Sequence, residues 1–140
     1  MKRILAIVLA CVLLTACGGT APKYQLEGKT WKIVTVQSTE DGRVLAIGDG
    51  MQEIYPEAKV ITLTGTAQNG KLTFTQEEES WEGSYTLQKS DEAAAIYSIT
   101  VGDETGPAAV SATTWQDGSA EQTLVLQLGG YSLYFTAAAS

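Results

Sequence analysis

Asn69-Gly70, set between two runs of alternating apolar and polar residues, constrains this chain more than any other dipeptide in it. A two-residue hairpin turn of type I′ needs positive φ at both central residues, and Asn-Gly is the strongest short-range signal for one. Gly129-Gly130, between Leu128 and Tyr131, is a second candidate, and Asp41-Gly42 and Asp117-Gly118 mark two more turns. The runs between them share one pattern. Trp31 to Val36 is β-branched and aromatic, and Val60 to Thr64 sets Ile61 and Leu63 against threonines. Lys71 to Thr75 places Leu72 and Phe74 on one face, and Ser80 to Gln88 places Trp81, Gly83, Tyr85 and Leu87 on one. Ala95–Val101, Ala109–Trp115, Thr123–Leu128 and Tyr131–Thr136 continue it. Alternation of period two means strands with one buried and one wet face.

Tight turns between neighbouring runs imply antiparallel pairing in sequence order. The expected fold class is therefore all-β, an antiparallel meander of eight or nine strands over residues 26–136. One short helical turn is expected near Met51–Glu57, held short by Pro56. So many strands must manage their edges, and closure into a barrel removes them. A β-sandwich is the alternative.

The first twenty residues carry a different signal. Met1-Lys2-Arg3 is a short basic start, and Ile4 through Leu14 is an unbroken apolar run. That length suits the core of an export signal and falls short of the ~20 residues that span a bilayer. Leu14-Thr15-Ala16-Cys17 follows, and it resembles the lipobox of bacterial lipoproteins. The resemblance implies removal of residues 1–16, attachment of a diacylglyceryl group to the Cys17 sulfur and, commonly, acylation of the new amino group. One chain anchors marginally and two anchor stably. The implied location is the extracytoplasmic side of the cell membrane or cell envelope. Gly18 rather than Asp follows the cysteine, which implies the outer membrane if the cell has one. Residues 17–25, small and polar with Pro22, read as a flexible tether, and 137–140 as a C-terminal tail.

Charge and composition exclude several functions. The full chain has a net charge of −7, and loss of Lys2 and Arg3 makes the matured form more acidic still. Such a body lacks the basic footprint that nucleic acid requires. It would also be repelled by anionic headgroups, so its hold on a membrane must come through Cys17 or a protein partner. Cys11 leaves with the signal, so no internal disulfide can form. The chain has no histidine, which removes Ser–His and Cys–His catalysis and the usual zinc sites. No phosphate loop or dinucleotide fingerprint occurs, and no cofactor is expected.

Carboxylates remain. Glu77-Glu78-Glu79 with Glu82 is the densest cluster, and on a strand Glu77 and Glu79 would share a face. A solvated loop that guards a strand edge is the favoured reading. Gly48-Asp49-Gly50 is too poor in oxygen ligands for calcium and reads as a turn. No metal site and no catalytic residue is therefore assigned.

The stretch Leu26-Glu27-Gly28-Lys29-Thr30-Trp31-Lys32 is similar to the Gly-x-Trp opening of lipocalins and small lipocalin-like domains, with one residue more between Gly28 and Trp31. Gly83-Ser84-Tyr85 and the closing run from Leu124 to Phe135 look like the same group. The resemblance implies a lipocalin-like barrel with Trp31 plugging one end. Arg43 is the only arginine left after residue 3, and it does not match the arginine that pairs with that tryptophan in the family. Core packing is the favoured role for Trp31.

The aromatics Tyr85, Tyr97, Trp115, Tyr131, Tyr134 and Phe135 are numerous for this length. In a hollow barrel Tyr85, Tyr131 and Phe135 are candidate ligand-binding residues; in a filled one they are core. Two functions follow. One is a membrane-anchored binding module for a small apolar or amphipathic ligand. The other is a non-enzymatic lipoprotein that presents a filled core and its loops to an envelope protein.

Overall fold

The computed structural model describes residues 24–138 except 115, 117 and 119. The expected export signal 1–16, Cys17, the expected tether up to residue 23, Trp115, Asp117 of one expected turn and residues 139–140 lie outside the described residues. Ten strands follow one another: β1 (Thr30–Ser38), β2 (Val44–Ile47), β3 (Lys59–Val60), β4 (Leu63–Gln68), β5 (Lys71–Gln76), β6 (Glu79–Ser90), β7 (Ala95–Val101), β8 (Glu104–Thr114), β9 (Ala120–Leu128) and β10 (Tyr131–Ala137).

β1 pairs with β4, and β4 through β10 pair antiparallel in sequence order. β10 then returns to β1, with Trp31 opposite Ala137 and Ser38 opposite Tyr131. Eight strands thus close into an up-and-down, lipocalin-like barrel, and the sandwich alternative is set aside. The remaining two are additions. The later half of β1, Thr35 to Gln37, leaves β4 and pairs with β2. β3 then joins β2 in parallel, Ala46 opposite Lys59 and Ile47 opposite Val60, the one departure from antiparallel order.

The turns take the backbone their residues dictate. Asn69 and Gly70 hold φ of 53° and 80°, and Gly129 and Gly130 hold 58° and 86°. Both pairs meet the positive-φ requirement that joins neighbouring strands with matching twist. Other boundaries differ from the sequence expectation. The run Val60–Thr64 is divided, with Val60 ending β3 and Leu63 starting β4. β8 begins at Glu104 rather than at Ala109. Gly106 explains the early start: an added Cβ there would stand 1.8 Å from the Gln127 carbonyl oxygen, so only glycine allows β8 so close to β9. Pro107 precedes the β8–β9 ladder, which begins at Ala108, and so its missing N–H is not demanded on that side. Around Met51–Glu57 there are hydrogen-bonded turns and no helix; the Tyr55 N–H donates to the Met51 carbonyl at 3.0 Å.

The alternating apolar residues fill the barrel. Ile33, Leu72, Phe74, Tyr97, Ile99, Val110, Leu124, Leu126 and Phe135 form one buried cluster with Trp31 and Leu26. Phe74 and Phe135 stack at its centre, 5.9 Å between centroids and 27° between planes. Each such side chain contributes about 1.5–3 kcal/mol by leaving water.

One end is closed. The Asn69-Gly70 turn, the start of β1 and the last residues of β10 meet there, as the pairings Thr30 with Thr66 and Trp31 with Ala137 require. The segment before β1 folds across this end. Leu26 and Trp31 are both fully buried. Trp31 Nε1–H donates to the Leu26 carbonyl at 3.0 Å, and the Leu26 N–H donates to the Tyr97 hydroxyl at 3.1 Å. The largest fully buried side chain thus stops the barrel, with its indole N–H and both backbone polar groups of Leu26 hydrogen-bonded.

Candidate functional site

Among the described residues no such plug crosses the opposite end, where the β5–β6, β7–β8 and β9–β10 turns lie. The inward faces of six strands surround a cavity of about 190 Å³ there. Leu63 of β4, Phe74 of β5 and Leu126 of β9 are buried and make its floor. Val101 of β7, Leu128 of β9 and Leu133 of β10 form walls, and Trp81 of β6 stands at the side with 41% of its surface exposed. Gln76, at the end of β5, is the polar exception. Ladder register explains the assembly: Phe74 faces Trp81, Leu126 faces Leu133, and Leu128 faces Tyr131 directly across neighbouring strands.

Glycine makes room for the floor. The Phe74 ring lies 3.0 Å from where a Cβ on Gly65 would be, so the ring occupies the place of the missing side chain. A larger residue at 65 would push Phe74 upward into the cavity.

The three candidate residues do not converge. Tyr131 stands at the rim of the open end, 49% exposed, opposite the wall residue Leu128. Phe135 is buried and stacks against Phe74, behind the floor. Tyr85 lies towards the closed end. Its hydroxyl donates to a Glu27 carboxylate oxygen, and its ring meets Tyr97 edge-on at 5.9 Å. Burial first, and then the hydrogen bond to the Glu27 carboxylate, push the Tyr85 phenol up to about 12. None of the three lines the cavity. Trp81, Leu63, Val101 and Leu133, which do, carry the alternation of an ordinary core strand and gave no separate signal.

Carboxylates crowd the turns around this mouth. Glu77 and Glu78 form the β5–β6 turn, Asp103 stands in the β7–β8 turn, and Glu40 and Asp41 lie in the β1–β2 loop. That loop is tied to the rim, since Thr39 donates its N–H to the Gly130 carbonyl at 3.0 Å. Backbone N–H donation from Arg43 holds the Asp41 carboxyl below the usual carboxylate range. Glu77 lies in the turn itself, and so does not share a strand face with Glu79. Among the described residues no three histidine, cysteine or acidic side chains converge on a point that would hold a metal ion. Gly48-Asp49-Gly50 forms a turn region braced by Gln52, whose Oε1 accepts the Gly50 N–H at 2.7 Å.

Chemically, the mouth offers an apolar surface open to water, with one amide and no acid, base or nucleophile in its lining. It can hold a group without reacting with it. Comparison with protein-family models, with curated proteins and with solved structures finds no match to this chain.

Proposed function

We propose that this chain is an extracytoplasmic lipoprotein, anchored through an acylated Cys17, whose barrel binds a small apolar or amphipathic ligand in its open mouth. The cavity carries the reading, because small-molecule sites are concave, mostly apolar and edged by a few polar groups, as this mouth is. Its size bounds the ligand. Drug-sized ligands fill about 300–1,000 Å³, whereas benzene fits a site of about 150 Å³. One ring or a short aliphatic chain therefore matches 190 Å³. The reading is non-enzymatic and needs no cofactor, and nothing in it involves nucleic acid.

Placement supports the reading. The chain reaches the barrel at its closed end, through Tyr24 to Lys29. Six residues lie between Cys17 and Tyr24, a reach of about 25 Å over the seven steps at full extension. A lipid on Cys17 would thus hold the plugged end towards the bilayer and leave the mouth facing away.

A second reading keeps the anchor and changes the occupant: one aromatic or aliphatic side chain of an envelope protein enters the mouth. The half-exposed rings of Trp81 and Tyr131 favour it, since aromatic anchors beside a small pocket dominate many interfaces.

Protein purified from the cell that makes it tests both parts. Mass spectrometry should find the matured chain beginning at Cys17 with acyl mass added, and Cys17→Ser should accumulate as uncut precursor. An extract should yield a stoichiometric small molecule. An unmodified chain beginning elsewhere would refute the anchor. An empty extract, together with one protein crosslinked through the rim, would favour the second reading.

A further inference from the structure

Two carboxylates stand on the inward side of the strands at the rim of the mouth. Glu79 is directly opposite Gln76, and Glu104 directly opposite Val101, and both of those partners line the cavity. Glu104 leans along the rim towards the neighbouring β9–β10 turn: its carboxyl carbon lies 3.6 Å from where a Cβ on Gly129 would be. Both acids are exposed, and among the described residues neither carboxylate makes an ion pair or a hydrogen bond. Trp81 is two residues from Glu79 on the same face of β6, with an open indole surface. The turns beyond add Glu77, Glu78 and Asp103, and Arg43 is the single basic side chain among the turns of this end.

We propose that the mouth selects a small cationic amphiphile, a ring or short alkyl chain carrying an ammonium group, with the apolar part on Phe74 and Leu126 and the ammonium between Glu79, Glu104 and the face of Trp81. This deepens the small-ligand reading and rests on it. Low-dielectric walls focus the field of the rim charges on the opening, and an ammonium over an indole adds a further attraction. A fatty acid of the same apolar size presents a carboxylate to these acids and is repelled. The plugged end lies on the side of the tether, so the mouth addresses soluble ligands and not the lipids beneath it.

The test uses the matured chain in nanodiscs of zwitterionic lipid, with empty nanodiscs as reference, and three probes of one shape: 2-phenylethylammonium, 2-phenylethanol and 3-phenylpropanoate. Calorimetry at low salt should show the ammonium binding about tenfold more tightly than the alcohol, with the carboxylate weakest. Glu79→Gln with Glu104→Gln should bring the ammonium to the level of the alcohol, as should added salt. Glu82→Gln, on the other face of β6, should change nothing. Equal binding of all three probes would overturn the selection for cations and leave the cavity reading intact. Binding of none would overturn both.

Discussion

The indole N–H of Trp31 donates to the carbonyl of Leu26 at 3.0 Å, and both residues are fully buried. This bond turns the segment before β1 into a lid. Leu26 could not lie under the barrel end with an unpaired carbonyl, because an unsatisfied buried acceptor costs about 1–3 kcal/mol. The same bond gives the barrel its polarity, one end sealed and the other open.

Trp31→Phe removes the donor and keeps most of the ring. It should destabilise the domain by about 1–3 kcal/mol, and Trp31→Ala by about 3–5 kcal/mol. Urea unfolding of both variants measures this. Two unchanged midpoints would mean that the closed end does not depend on the plug.

Tyr85 gives a pH signature at the same end. Its phenol is pushed up to about 12 from an ordinary 10.0, by burial and then by the Glu27 carboxylate. Because the folded value lies above the unfolded one, the folded state holds this proton more tightly. The associated stability is complete below pH 10 and is lost as the pH rises towards 12. Tyr85→Phe should flatten the fall in unfolding midpoint over that window. An equally steep fall in the variant would assign it to other groups.

Glu77 carries φ of 56°, a conformation that side chains adopt at a cost and glycine adopts freely. Glu77→Gly should therefore leave the domain more stable by about 0.5–1 kcal/mol, visible as a higher thermal midpoint. A lower midpoint would show that the glutamate side chain stabilises the turn by more than its backbone costs.

Gly106 and Gly70 separate two reasons for glycine. At Gly106 an added Cβ meets the Gln127 carbonyl at 1.8 Å, whereas at Gly70, with φ of 80°, it meets nothing within 4 Å. Gly70→Ala should cost about 1 kcal/mol through backbone strain alone. Gly106→Ala must move β8 away from β9 and should cost several times as much, more than about 3 kcal/mol. Comparable losses in the two variants would contradict the close approach.

Much of this architecture was legible in the residues. Asn69-Gly70 and Gly129-Gly130 located two hairpins, and alternation set Leu72 and Phe74 on one face, the buried one, because one buried face forces period two. β2 escaped notice because Val44-Leu45-Ala46-Ile47 is apolar throughout and does not alternate. The start of β8 was hidden by Gly106 and Pro107, residues that normally mark a turn. The mouth was hidden for a deeper reason. Alternation reports which face a side chain is on and not its height along the barrel, so Trp31 and Trp81 look alike in sequence. One is sealed under Leu26, and the other is left open because no described segment crosses its end. For the same reason Tyr85 and Tyr131, grouped as one candidate site, stand towards opposite ends.

Mapping a neutral probe on the protein by NMR tests the central claim most directly. With 2-phenylethanol, the expected shifts gather on the Trp81 indole and the methyl groups of Leu63, Val101, Leu126, Leu128 and Leu133, and leave Trp31 and Tyr85 unmoved. Shifts confined to the closed end, or none at saturating probe, would contradict a binding mouth.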